Sequence, residues 1–243
     1  MLFPGLIVAA CATLLGIGAA GADGIAWWAM VPLLGAAVPA VVLVWWLRGR
    51  GALDPAAWLH AAFLAAGAQL LLGAIPSYGI SVSSTPAAIG IFVLCWVFAA
   101  ASCLQAHRAR RALLEPMVPE LGSTQLRLAI AVRFALTAHD LVSAHIDLDA
   151  EEVSWSARRP RARGAGMTVH LGRITQVSVV GLPPVPALQP WLMMPGGPVL
   201  YAQPGPAVVL TTTSSEWMLP VHDAVLLAEL VNRRRELWAQ RNR

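Results

Sequence analysis

The chain has 243 residues, of which 57% are hydrophobic and 12% charged, with a net charge of +4 and a pI near 9.6. A mean hydropathy of +0.63 excludes an ordinary water-soluble domain, where about a quarter of residues are charged, and points to a membrane protein. All 17 basic residues are arginine, which reads as GC-rich coding and carries no functional meaning.

The first apolar run covers residues 2–20 and ends at the turn Gly21-Ala22-Asp23-Gly24. Ala20-Gly21-Ala22 has the look of a signal-peptidase site and Val8-Ala9-Ala10-Cys11 of a lipobox, but no basic residue precedes the run, so an uncleaved first span is expected. The second span is expected over residues 25–47, bracketed by Trp27-Trp28 and Trp45-Trp46, because indole rings favour the headgroup layer. Pro32 and Pro39 are expected to kink it.

Arg48, Arg50 and Asp54 form a short loop, and Pro55 opens a third span over residues 56–75. Small residues recur there at Ala57, Ala61 and Ala65, with Ala62 and Ala66 beside them, and in the first span at Gly16, Ala20 and Gly24. Small-xxx-small faces let helices approach closely, so both are expected to be helix contacts, within one chain or in a homo-oligomer. Residues 76–85 are uncharged and turn-rich, suiting an outside loop. The fourth span, residues 86–106, runs without a charge into His107-Arg108-Ala109-Arg110-Arg111.

Arg48, Arg50, Arg108, Arg110 and Arg111 all fall on one side of such a four-span arrangement, with none opposite. The positive-inside rule then orients the protein, with both termini cytoplasmic in the cell membrane. The basic excess sits where that rule would place it, which removes the argument for a nucleic-acid partner. Within the spans the strongly polar side chains are His60, Gln69 and Gln105; no carboxylate accompanies them, which argues against a pump or transporter. Cys11, Cys95 and Cys103 lie in apolar runs without ligand spacing and read as buried small hydrophobes.

Only Asp23, Arg48, Arg50 and Asp54 carry charge before residue 107, so the remainder of the chain is a water-soluble region. Residues 107–122 are read as a juxtamembrane linker and 123–243 as a cytoplasmic domain. Leu126 to Leu136 alternates with strand period, its alanines leaving a helix as the alternative, and two alternating runs around Asp149-Ala150-Glu151-Glu152 suggest a hairpin. The basic loop Arg158, Arg159, Arg161 and Arg163 follows, then strands at 168–171 and 174–180. Residues 181–190 hold four prolines and read as loop or short helix. A last hairpin turns at Ser214-Ser215 and places Trp217, Leu219 and Val221 on one face. Asp223 is expected to cap a closing helix with the apolar stripe Leu226, Leu227, Leu230, Val231, Leu237 and Trp238, and Arg233-Arg234-Arg235 to complement its dipole.

Ser143, His139, His145, Asp140 and Asp147 lie close in sequence without a nucleophile elbow, and alternation puts His145 and Asp147 on one exposed strand face, so no catalytic triad is read. His139, His145 and His170 have no metal-ligand spacing, and no phosphate-binding or dinucleotide motif is present; no catalytic residue, metal or cofactor is expected.

Five to seven short strands closed by one amphipathic helix make a small barrel or sandwich. With Trp191, Pro195-Gly196-Gly197-Pro198, Gly205 to Leu210 and Leu219-Pro220-Val221-His222-Asp223-Ala224 running into the helix, the last hundred residues resemble the bacterial pleckstrin-homology-like (PH-like) domain. The resemblance is to its membrane-tethered form in high-GC Gram-positive bacteria. It implies a fold of a four-helix transmembrane bundle plus a cytoplasmic α+β PH-like barrel with a C-terminal helix, and a non-catalytic binding or scaffolding role. The arginines at 158, 159, 161 and 163 are the candidate contact for an anionic lipid headgroup or an acidic protein partner, against the alternative of a solvated loop obeying the positive-inside bias. The alternative is an accessory subunit of a larger membrane complex, with the spans as its interaction surface.

Overall fold

The computed structural model describes residues 2–20, 27–81, 85–136, 142–158, 164–184, 189–193 and 199–242. The chain divides into two units, residues 1–116 and 117–243.

The first unit is helical: α1 (Leu2–Ala20), α2 (Val31–Arg48), α3 (Trp58–Gln69), a π-helical turn Leu70–Ala74 leading into α4 (Ile75–Ile80), and α5 (Pro86–Leu114). It supplies four segments long and apolar enough to cross a membrane, α3 to α4 counting as one. Large apolar side chains such as Val31, Leu34, Val41, Phe63, Leu71 and Val97 point outward, while Ala36, Ala62, Ala66, Ala74, Cys95 and Ala99 fill the interior. Hydrocarbon makes that distribution stable: lipid tails solvate large apolar groups, and small inward residues let the helices approach closely.

Several element boundaries differ from the sequence reading. Residues 21–26, inside and before the expected second span, lie outside the described residues; Trp27–Met30 form a 3₁₀ turn and α2 starts at Val31. Pro32 therefore sits in the first helical turn, where an N–H is not needed, and Pro39 alone lies inside the helix. The expected loop 76–85 is helical as far as Ile80, because Pro76 also falls at a helix start. Tyr78 of this turn stacks on Phe92 of α5, ring centroids 4.6 Å apart. Thr85 caps α5, its Oγ1 accepting from the Ala88 N–H. Past residue 106 α5 does not stop at the arginine block but continues through Leu114, a run of good helix formers, until Pro116 forces Glu115 into extended geometry.

The small-residue contacts are also redistributed. Ala62, Ala65 and Ala66 are buried as expected, but Gly16 faces open space and Gly24 lies outside the described residues. In α1 it is Gly18 that touches a neighbour, the backbone of Ile80 and Ser81. The tightest crossing joins α2 to the π turn: a Cβ on Gly35 would run into the Leu72 carbonyl, and one on Gly73 would meet the Ala36 Cβ at 2.6 Å.

The second unit holds ten strands among the described residues, more than the five to seven expected. They are β1 (Leu128–Ala131), β2 (Phe134–Leu136), β3 (Ser143–Leu148), β4 (Glu152–Arg158), β5 (Ala165–His170), β6 (Ile174–Leu182), β7 (Gln189–Met193), β8 (Val199–Ala202), β9 (Gly205–Thr212) and β10 (Glu216–Pro220). All pairs are antiparallel, in three sheets ordered β1-β3-β4-β5, β10-β9-β6 and β2-β8-β7. Ile146, Leu148, Val153, Trp155, Leu200, Val208, Leu210 and Leu219 make the core, and Trp155 meets Trp217 across it at 5.3 Å.

The alternating run from Leu126 is not one strand. It breaks after Val132, because Arg133 turns to the β8–β9 connection: its backbone N–H donates to Pro220 O, and its guanidinium donates to the carbonyls of Val221, Gln203, Pro204 and Pro206. Gly205 in that turn has φ +123°, open to glycine, and its Cα faces the Arg133 guanidinium. Between β6 and β7, residues 185–188 of the proline-rich stretch lie outside the described residues.

The closing hairpin and helix follow the sequence. Thr212 Oγ1 accepts from the N–H groups of Ser214 and Ser215 and closes their turn without a glycine. The final helix α6 (Ala224–Arg241) packs on β6 and β9 through Leu227, Ala228, Leu230 and Val231. Asp223 Oδ1 accepts from the Leu226 N–H at 2.9 Å. Replacing Asp223 with alanine is expected to cost about 1 kcal/mol, seen as a lower urea midpoint with an unchanged slope.

Candidate functional site

Strand alternation builds a polar surface on the β3–β4 hairpin of the second unit. On β3 and β4, Ile146, Leu148, Val153, Trp155 and Ala157 turn inward, which sends Ser143, His145, Asp147, Ser154, Ser156 and Arg158 to the other face. The register sets His145 opposite Ser156, Asp147 opposite Ser154, and Ser143 opposite Arg158. Asp147 is the most enclosed of these, with a side chain 9% exposed. Its Oδ2 takes Arg127 Nη2 at 2.7 Å and lies 3.2 Å from His145 Nε2, while Ser156 Oγ is 3.3 Å from that same nitrogen.

This serine, histidine and aspartate do not form a relay. A catalytic histidine uses one ring nitrogen for the carboxylate and the other for the hydroxyl, whereas here both meet Nε2. The pair His145 and Asp147 does share an exposed strand face, as alternation predicts; Ser156 and Arg127, which complete the network, come from the neighbouring strand and from before β1. Neither was legible, because strand pairing brings them together from 9 and 20 residues away.

Arg158 stands exposed at the far end of the same face, where Ser143 Oγ donates to its carbonyl. Its companions Arg159, Arg161 and Arg163 lie outside the described residues, as does His139. His170 is elsewhere: its Nδ1 accepts from the Gly172 N–H and its ring abuts the edge of Trp238. Among the described residues no three His, Cys, Asp or Glu side chains converge as metal ligands.

Of the orientation-setting arginines, Arg48 ends α2, Arg50 opens the 3₁₀ turn Arg50–Leu53, and Arg108, Arg110 and Arg111 lie in the last turns of α5. Arg111 Nε donates to Glu115 Oε2 at 2.7 Å, an exposed pair worth little. Of the polar spanning residues, His60 and Gln105 are exposed, but Gln69 is fully buried, its Nε2 donating to Pro4 O at 3.0 Å and Ala36 O at 2.9 Å. One amide thus ties α1, α2 and α3 together, a structural use of the polar group. Cys11 and Cys95 are free thiols within the bundle core, and Cys103 is half-buried.

The arginine triplet of α6 corrects the sequence reading most. The helix continues to Arg241, so the triplet does not sit at its end, and each member has its own partner. Arg233 approaches Glu120 at 3.9 Å, and Arg235 donates to Asn232 Oδ1 and Thr175 O. Arg234 is fully buried: its guanidinium donates to the carbonyls of Leu121, Gly122 and Leu126 at 3.1–3.2 Å. Burial lowers its pKa to about 10, partly opposed by the charge of Asp149 and reinforced by Arg241. It remains a cation at neutral pH.

The chain matches no model of a known protein family, no curated protein and no solved structure.

Proposed function

We propose that the chain is a multi-pass protein of the cell membrane with both termini cytoplasmic, whose residues 123–243 form a PH-like binding module acting as a non-catalytic adaptor or regulator. The contact is the arginine group 158, 159, 161 and 163, and the ligand an anionic lipid headgroup or an acidic partner protein. The observation carrying this reading is the sheet face where His145, Ser156 and the exposed Arg158 line up beside an already neutralised Asp147, leaving cationic and hydrogen-bonding groups toward solvent. Antiparallel sheets closed by a C-terminal helix on β6 and β9 support the PH-like assignment. Arginines grouped at one end of the α2–α3 connection and at the end of α5 support the orientation.

The test uses the full chain in its native membrane. Changing Arg158, Arg159, Arg161 and Arg163 together to glutamine is expected to reduce crosslinked partner or anionic-lipid recovery by tenfold or more, at about 1 kcal/mol for each charge near an anionic surface. Protease added to intact cells is expected to leave the chain beyond Glu120 whole. Unchanged recovery, with an assembly that survives on the spans alone, would instead support an accessory subunit held through its outward apolar helices.

A further inference from the structure

We infer that the outer side of the α2–α3 pair is a binding site for one anionic phospholipid. Between these helices runs an apolar groove of about 620 Å3. Its floor is the ladder Ala57, Ala61, Ala65 and Ala68, whose short side chains leave a trench, and Val42 and Leu64 stand among its walls. The sequence pattern suggested that Ala57, Ala61 and Ala65 of this floor pack against another helix, and Ala65 is buried as expected. In the fold Ala57 and Ala61 stay half-exposed instead, and the trench is open.

The two ends of the groove differ in chemistry. One end is bounded by Val38 and Ala68 and is wholly apolar. The other is lined by Trp45, Trp46 and the exposed His60, with Arg48 and Arg50 immediately beyond on the connection between the helices. Both guanidinium groups are exposed, and neither has a hydrogen-bond or ion-pair partner among the described residues. The nearby carboxylate, Asp54, is engaged: its Oδ1 accepts from the Ala57 N–H at the start of α3.

A trench for a long apolar chain that ends at indole rings, an imidazole and free guanidiniums matches an amphiphile with an acyl tail and a phosphate head. Indoles prefer the headgroup depth, and guanidinium presents paired donors to phosphate oxygens. A second copy of the chain is the poorer occupant. A symmetric contact across this groove would bring the Arg48 and Arg50 groups of both copies together, and like charges in contact oppose association. The site is independent of the arginine group at 158–163 and requires only that α2 and α3 be in a bilayer.

The full chain, purified in mild detergent, is titrated with phosphatidylglycerol and, separately, phosphatidylcholine of the same chain length, and bound lipid is counted by native mass spectrometry. Detergent removes membrane orientation from the comparison. The expected result is one retained phosphatidylglycerol, favoured over phosphatidylcholine by about tenfold, because its head is a net anion facing two basic groups whereas the phosphate of phosphatidylcholine is balanced by its own ammonium. Arg48→Gln with Arg50→Gln is expected to abolish the preference, and Ala61→Phe, which fills the trench, to reduce retention of both lipids. Ala61→Leu repeats the second arm should the phenylalanine variant unfold, and thermal melting confirms that each variant is folded. Equal retention of the two lipids by the unaltered protein overturns the inference, as does retention untouched by filling the trench. Loss of a dimer peak on filling, with lipid retained, overturns it in favour of a second copy.

Discussion

Replacing Arg234 with methionine is expected to lower the unfolding free energy of the 117–243 unit by roughly 3 kcal/mol. Methionine matches the apolar part of the side chain but donates nothing, so the carbonyls of Leu121, Gly122 and Leu126 lose their shared donor inside the protein. Each such orphaned acceptor retains its desolvation penalty. The 3₁₀ turn Pro119–Ser123 is where the loss would fall, because two of the three carbonyls, those of Leu121 and Gly122, belong to it. Lysine should recover only part of the loss, since one ammonium cannot reproduce the geometry of a planar fork. Urea titration followed by tryptophan fluorescence measures the effect; a midpoint within error of the parent would show the buried guanidinium to be dispensable.

The pH dependence follows from the same group. Its folded pKa, near 10, lies below that of a free arginine, so between the two values the unfolded chain binds more protons than the folded one. Stability therefore gains from this residue as pH rises through that window. Below pH 9 both states are fully protonated and Arg234 adds no slope.

The second large effect is expected at the crossing of α2 with the π turn. Gly73→Val places a branched side chain where a single Cβ would already lie 2.6 Å from that of Ala36, and Gly35→Val drives into the Leu72 backbone. Either change must separate two helices whose contact also carries the Gln69 to Ala36 hydrogen bond. The cost should be about 3 kcal/mol or more, the upper end for overpacking a close contact. Gly67→Ala, with nothing within 4 Å of its Cβ, serves as the control and should be neutral or slightly stabilising. Size-exclusion profiles and melting temperatures in detergent report the difference. Folded, monodisperse Gly35 and Gly73 variants would show that this crossing is looser than its geometry implies.

The same crossing explains why sequence reading reached only part of the helical unit. Regular ladders of small residues drew attention to Ala57, Ala61 and Gly16, yet the closest approach uses Gly35 and Gly73, which belong to no ladder. Periodicity identifies a smooth helix face. It does not identify which neighbour lies against that face, and here the α3 ladder borders an open groove. Pro39 adds to this: it removes the N–H that would serve the Gly35 carbonyl, at the place where the two backbones meet.

In the second unit, alternation was enough to place the β3–β4 hairpin, the β9–β10 hairpin and the Asp223 cap, all of which depend on neighbours a few residues apart. It failed at Arg133 and Arg234. Arg133 falls inside the run that alternates with strand period and Arg234 inside the triplet expected to complement the helix dipole, yet both satisfy backbone carbonyls about 70 to 113 residues away in sequence.

Composition by itself determined that four apolar segments would precede a polar remainder, because transfer of charge into hydrocarbon is costly wherever the chain folds. It also determined the strand and cap signals, which are local. Only the tertiary structure decided which glycines let helices touch, which arginine is buried, and that Ser156 and Arg127 join His145 and Asp147. Those outcomes depend on which carbonyls are left without a donor and which surfaces meet once distant segments pack, and neither is encoded within any single window of the chain.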